Sequence, residues 1–467
     1  MAKADVNGDG LEDLYVGGSK GHPGQLFLQT KTGTFIPAHA TAIEKDSLAD
    51  DGAALFFDAN GDGHPDLFVA AGGYELEGNN PLLQPRLYLN DGKGHFSLSP
   101  KALPDLLLNA SCATAADVDG DGAVDLFVGG RVVPGKYPLS PGSKLLLNDG
   151  KGHFTDGTAQ LAPVLDSLGM VTDAVWIDLN KDKKPDLVVV GEWMPVKVFI
   201  NAGISERDRM AIAGGRKWTT HLLTDASSRY IKFPSTGWWN RITVADLNGD
   251  GNPDLVLGNQ GTNNQFSASP QRPLTLYYKD FNHNGTVDPV FCYYIGDTSY
   301  PAASRDDLTG EIPFLKKKFI EYHNYADATI HDLFSADELK DAGPLKAETL
   351  SSIWLENRGD SGLIPRQLPA EAQYGPVYAI AATDINGDGH PDLVLGGGNQ
   401  WTRIRFGRYR ANHGVLLLGD GKGNFRYVSQ DHSGLQLRDD VRGVVDMSAS
   451  KQLIFGVNDG PAAIYKY

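Results

Sequence analysis

Cysteine is nearly absent: Cys112 and Cys292 are the only two in 467 residues. Two are too few for a disulfide framework, and their separation is not a metal-ligand spacing. Both are expected to be buried thiols. No apolar run is long enough to cross a membrane as a helix. No export signal opens the chain, because Met1 is followed at once by Ala2-Lys3-Ala4-Asp5 and an acidic loop. The chain therefore reads as beginning inside a structural repeat, with further domains of the same protein expected upstream. Basic charge is in deficit, with 42 Lys and Arg against 58 Asp and Glu and a net charge of −16. A nucleic-acid footprint is thereby excluded.

What the chain has in excess is glycine, 55 residues, together with 26 prolines. Such a composition favours many tight turns and many short strands. The acid is concentrated in one pattern, found seven times, with acidic or amide side chains at positions 1, 3, 5 and 9. Read at positions 1, 3, 5, 7 and 9, the first copy is Asp5, Asn7, Asp9, Leu11 and Asp13. The second is Asp58, Asn60, Asp62, His64 and Asp66, and the third is Asp117, Asp119, Asp121, Ala123 and Asp125. The fourth is Asp178, Asn180, Asp182, Lys184 and Asp186. The fifth is Asp246, Asn248, Asp250, Asn252 and Asp254. A variant has Asp280, Asn282, Asn284, Thr286 and Asp288, and the last copy has Asp384, Asn386, Asp388, His390 and Asp392.

These residue types point to calcium. Ca²⁺ takes six to eight hard oxygen ligands, whereas Mg²⁺ keeps a stricter octahedron and its waters. Side chains at 1, 3, 5 and 9 supply oxygens. The residue at 7 varies freely, as expected if it offers only its backbone carbonyl. Glycine at positions 4 and 6 lets the chain curl. An EF-hand is excluded, since position 12 holds Val16 or Val69 where that loop needs Glu. The copies are unequal. The fourth has Lys181 and Lys183 at the glycine positions plus Lys184, and the variant has Asn284 in place of Asp. About five strong sites and two weak or empty ones are expected.

The flanks define the fold. Leu14-Tyr-Val-Gly-Gly18 and Leu126-Phe-Val-Gly-Gly130 are strand signals after the loop. Farther on, segments such as Leu87-Tyr-Leu-Asn-Asp-Gly-Lys-Gly-His-Phe96 read as hairpins, because Asn and Gly tolerate positive φ. Each unit is thus strand, acidic loop, strand, longer loop, strand, tight turn, strand. Four antiparallel strands make a propeller blade. The expected fold is all-β, a propeller of seven blades with eight as the alternative. The boundaries fall at about 1–45, 46–105, 106–165, 166–225, 226–370, 371–430 and 431–467. The loop at Asp280 starts only 34 residues after Asp246, so an extra hairpin is expected inside blade five. A helical insertion is expected at about 301–345, with start signals at Ser304 and Ser335 and apolar residues Phe314, Leu315, Phe319, Ile320 and Tyr322 at helical spacing. The last blade lacks ligands and a fourth strand, so this chain alone is expected to leave the ring unclosed.

The stretch Asp5 to Gly18 resembles the FG-GAP/VCBS repeat of integrin-α-like propellers. Gly129-Gly-Arg-Val-Val-Pro-Gly-Lys-Tyr-Pro138, Gly191-Glu-Trp-Met-Pro195, Tyr300-Pro-Ala-Ala-Ser-Arg-Asp-Asp-Leu308 and Phe314-Leu-Lys-Lys-Lys-Phe319 look like the ASPIC/UnbV (CRTAC-like) group. The resemblance implies a secreted or outer-membrane-surface protein with this chain as its C-terminal propeller.

Three functions are weighed. A calcium-stabilised module recognising a protein or glycan would use the face opposite the acidic loops, where Arg131, Tyr137, Trp193, Trp401 and Arg403 fall on long connections. Trp, Tyr and Arg dominate interface hot spots. An enzyme, such as a polysaccharide lyase or hydrolase, has thin support: there is no His-Glu-x-x-His, and Gly17-Gly-Ser-Lys-Gly21 spells a nucleophile elbow with no helix after it. The third is a structural subunit of an outer-membrane complex.

Overall fold

The computed structural model describes residues 1–76, 78–204 and 221–467. Among them are eight antiparallel sheets. The first four-stranded sheet runs Ala2–Ala4, Asp13–Val16, Gln25–Gln29 and Phe35–Ala38 in spatial order. The acidic loop joins its first two strands, as expected. The second sheet repeats this with Asp51–Phe57, Asp66–Ala71, Arg86–Asn90 and Phe96–Leu98. The same up-and-down order recurs in sheets opening at Ala110, Met170, Arg241 and Ala379, and in a three-stranded sheet, Val441–Met447, Gln452–Val457 and Ala463–Lys466.

First strands lie side by side in chain order, from Ala2–Ala4 against Asp51–Phe57 through to Ala379–Thr383 against Val441–Met447. Second strands are sandwiched between neighbouring sheets. Asp66–Ala71 and Asp125–Gly130 are buried along their whole length, which is why they read as continuous apolar runs. The core is a series of seams between successive sheets. Phe68 and Leu87 meet Leu126 and Leu146 in one seam, and Leu247 and Val256 meet Leu393 and Leu417 in another.

The ring closes, contrary to expectation. Leu14 of the first sheet packs with Val445, Met447 and Ile454 of the last. Lys3 Nζ donates to the Asp446 carbonyl at 2.6 Å, and Gln452 Nε2 to the Gly33 carbonyl at 3.0 Å. Propeller sheets meet face to face, so closure needs apolar faces and no shared strand.

Residues 259–352 interrupt the fifth sheet between Asp254–Gly258 and Ile353–Asn357, which still pair with each other. The insertion holds more than the expected hairpin. It is a four-stranded sheet in the order Thr298–Pro301, Asp288–Ile295, Leu274–Lys279 and Leu345–Ala347. The fourth strand returns only after the helical segment, which hid it from a local reading. Helices do form there: Arg305–Glu311 is capped by Ser304, and Ala336–Leu339 carries a capping box from Ser335 and Glu338. The expected single apolar face does not hold. Leu315 and Phe319 are buried, but Phe314, Ile320 and Tyr322 are exposed, because short separate helices break the periodicity. Cys112 and Cys292 are buried free thiols.

Candidate metal centres and an aromatic cavity

The loops share one hydrogen-bonded cradle. In the first, Asp5 Oδ1 accepts from Gly8 N at 2.8 Å and Asp5 Oδ2 from Gly10 N at 2.8 Å. Asn7 Oδ1 accepts from Asp9 N, and Asp9 Oδ1 from Leu11 N, both at 2.9 Å. Asp13 is fully buried. Its Oδ2 accepts from Val6 N at 3.1 Å, and its Oδ1 from Gln29 N on the third strand at 2.8 Å. Position 9 thus anchors the loop to its own sheet. The scheme recurs around Asp58 and Asp66, Asp117 and Asp125, Asp246 and Asp254, and Asp384 and Asp392. The glycines are required: Gly8 and Gly10 have φ of 74° and 85°, in the left-handed region.

A second tie was not foreseen. The Asn that ends the third strand, in Leu-Asn-Asp-Gly or Ile-Asn-Ala-Gly, crosses to the preceding sheet. Asn90 Nδ2 donates to the Val6 carbonyl at 2.9 Å, Asn148 Nδ2 to Ala59 at 2.8 Å, and Asn201 Nδ2 to Val118 at 2.8 Å. The recurrence of that Asn was the available signal. The loops 5–13, 58–66 and 117–125 are therefore each locked from two sheets.

Carboxylates also converge. The oxygens of Asp117, Asp119 and Asp125 lie within 4.8 Å of one another. Burial raises the Asp13, Asp66, Asp186 and Asp254 carboxyls to about 6 and Asp125 to about 7, with neighbouring loop carboxylates adding to the effect. A carboxylate oxygen has two lone pairs, so those already accepting one N–H can take a second partner.

Two copies differ. In 178–186, Lys181 and Lys183 adopt φ of 61° and 65°, and Lys184 Nζ sits 3.2 Å from Asp182 Oδ2. In 280–288, His283 takes the first glycine position at φ 59°, and Asn282 Nδ2 turns to the Glu311 carbonyl at 2.9 Å. Asp288 is also cut off from the third-strand tie, and Asn282 Nδ2 donates to its Oδ1 instead.

The five residues proposed for a partner face do not form one surface. Tyr137, Trp193 and Arg403 line a cavity of about 690 Å³. Arg131 lies behind it, ion-paired to Glu192. Trp401 is 76 % exposed and stands outside the lining. Trp193 is buried against Trp238 and Phe291 at ring separations of 5.0 and 5.9 Å, so it is wall rather than exposed anchor. Its φ of 62° is a rare backbone for a non-glycine residue, held in part by its Nε1 donating to Tyr137 Oη at 2.7 Å. Tyr137 Oη donates to Glu192 at 2.6 Å. Burial acts upward on the Glu192 carboxyl, but Arg131 and the Tyr137 hydroxyl hold it below the usual range. Sequence reasoning missed Trp238, Phe266, Phe291 and Phe406, which join the wall from the fourth sheet, the insertion and the 399–410 segment. No local pattern marks them. Ser19 of the elbow-like spelling pairs in a bridge with His22 and is followed by the strand Gln25–Gln29.

The FG-GAP-like repeat family matches at residues 5–69, 58–128 and 178–257, and the FG-GAP repeat at 376–400. The chain carries FG-GAP repeats. All of the acidic loops but the variant at 280–288 fall at least partly within those matches. The chain is 25% identical over 235 residues to bovine phosphatidylinositol-glycan-specific phospholipase D, covering 47% of this chain and 25% of that protein. Its human counterpart is 23% identical over 278 residues, covering 56% and 29%. The chain thus spans less than a third of the length of these relatives. Similar solved structures include the V. cholerae biofilm matrix protein Bap1 (13% identity, 98% of this chain and 73% of that one, TM-score 0.31). A Trypanosoma rangeli sialidase, in complex with the inhibitor DANA, aligns at 10% identity, 96% and 57% coverage and TM-score 0.39. The Dos1 propeller aligns at 7% identity, 100% and 88% coverage and TM-score 0.39.

Proposed function

We propose that this propeller is a calcium-stabilised recognition module of a secreted or cell-surface protein of the ASPIC/UnbV type. The observation that carries the calcium reading is the repeated cradle, seen five times with full glycine geometry, which brings carboxylates together and buries the one at position 9. The residues fit the ion. Side chains at positions 1, 3, 5 and 9 and the carbonyl at position 7 are hard oxygens, the ligand type Ca²⁺ takes. Bound there, the ion would add positive charge among the carboxylates and clamp loop to sheet. The loops at Asp178 and Asp280 are read as weak or empty.

The recognition surface is the cavity between the insertion and the connections of the main ring, for a protein or glycan partner. Concave sites lined by aromatic groups with a few convergent polar groups are the usual form of small-ligand sites. Recognition is favoured over catalysis because Glu192, a half-buried carboxylate of the wall, is already engaged by Arg131 and Tyr137. Calcium titration of chelated protein by calorimetry tests the first part: about five tight ions are expected, and no heat would sink it. Turnover on a polysaccharide panel tests the second, with none expected.

A further inference from the structure

We infer that the aromatic cavity binds a neutral saccharide. The inference rests on the reading of that cavity as the recognition site. It follows from which groups of the lining are committed to one another and which are not.

The charges are committed. Three carboxylates, Glu192, Asp288 and Glu311, and two guanidiniums, Arg403 and Arg405, line the cavity. Glu192 is held by Arg131 and by the Tyr137 hydroxyl. Asp288 accepts from Phe281 N at 3.0 Å and from Asn282 Nδ2 at 3.3 Å. Arg405 is bound to Asp307 at 2.6 Å, and Arg403 faces Glu311 at 3.9 Å. An anionic ligand would meet the carboxylates and a cationic one the guanidiniums, so neither sign of ligand charge is favoured.

The uncommitted groups are polar and neutral. The Gln260 side-chain amide, Asn399 Nδ2 and the Tyr409 hydroxyl make no hydrogen bond among the described residues, and all three residues are half-buried in the lining. Together they offer both donors and acceptors, the complement of hydroxyl groups that also do both. A wholly apolar ligand would bury them unpaired, at a cost for each.

The remaining wall is ring. Trp238, Phe291 and Phe406 line the cavity and are half-buried, so each keeps accessible surface. Edge-on packing against Phe266, at ring separations of 6.0, 5.1 and 5.4 Å, holds them in place. A pyranose has an apolar C–H face that stacks on such rings and a hydroxylated edge that needs polar partners. Rings beside uncommitted amides meet both needs without a charge on the ligand. At about 690 Å³ the cavity is in the size range of small-ligand sites.

The test is calorimetric titration of the full chain in calcium buffer. The probes are neutral hexasaccharides of glucose, mannose, galactose and xylose, with oligogalacturonate as the acidic control and chitosan hexamer as the cationic one. At least one neutral probe should bind, with both charged probes at least about tenfold weaker. Its affinity should stay constant from roughly 50 to roughly 500 mM salt, since no ion pair is there to screen. Gln260→Ala should weaken that binding about fivefold, the loss of one neutral hydrogen bond, with the melting temperature unchanged. Phe406→Ala, which removes stacking surface, should weaken it more. No binding of any neutral probe, equal or tighter binding of a charged one, or unaltered affinity in both variants would overturn the inference. A protein partner captured by wild type and lost in Phe406→Ala, with no sugar bound, would remove the saccharide and leave the recognition site standing. No sugar bound and no partner lost would remove both.

Discussion

The loops 117–125 and 178–186 sit on neighbouring sheets and have nearly the same backbone, but opposite chemistry. In both, the first Asp accepts N–H groups from the tip, and the ninth accepts from position 2 and from an Asn N–H on the third strand. In the first loop, three carboxylates face one another. In the second, an ammonium lies against Asp182. Slight burial acts upward on the Asp182 carboxyl, but the Lys184 N–H and ammonium hold it below the usual range. The cradle is therefore a property of the hydrogen bonds, and the demand for a cation is a property of the charges placed on it.

The largest effect that can break this comparison is removal of calcium. A ligand that binds only the native state adds about 2.7 kcal/mol per site at a hundredfold excess over Kd. Chelation should lower the melting temperature by about 10 °C or more, given several sites. Calorimetry with and without chelator measures it. A change near zero would mean that all seven loops behave like 178–186 and that the carboxylates are tolerated unpaired.

A matched pair of variants sharpens it. Asp125→Ala and Asp186→Ala each orphan two buried backbone donors, Val118 and Asn148 in one case, Leu179 and Asn201 in the other. Leaving buried donors unpaired costs about 1–3 kcal/mol each. In chelator the two variants should therefore lose equal stability in denaturant unfolding. In calcium, Asp125→Ala should lose more, and the excess is the contribution of its ion. Equal losses in calcium would show that neither loop holds one.

Much of this was legible because the repeat is local. Asp at 1 and 9 and glycine at 4 and 6 fix a loop within nine residues, and the flanking Leu-x-Val runs fix the strands on either side. What failed to show was long-range. Leu345–Ala347 pairs with Leu274–Leu276 across some seventy residues, and nothing in either segment names the other. The closing seam between Leu14 and Met447 is equally remote in sequence. The cavity suffered most. Trp193 and Trp401 look alike as tryptophans on long connections, yet one is buried at 6 % exposure and the other stands at 76 %. Burial depends on what the insertion brings over them, and that is set by packing between elements.

The smallest effect addresses backbone alone. Lys181 and Lys183 hold the left-handed conformation where the regular loops have glycine. A side chain there pays steric strain that glycine avoids, of order 1 kcal/mol per residue. Glycine also loses more chain entropy on folding, so the net gain from Lys183→Gly is smaller, about 0.5 kcal/mol. It should appear as a slightly higher urea midpoint with an unchanged slope. Adding Lys184→Gly removes the ammonium from Asp182, and without chelator the double variant should gain one calcium in titration. If stability rises but no ion is gained, the lysine side chains explain only strain, and some other feature of the fourth loop keeps calcium out.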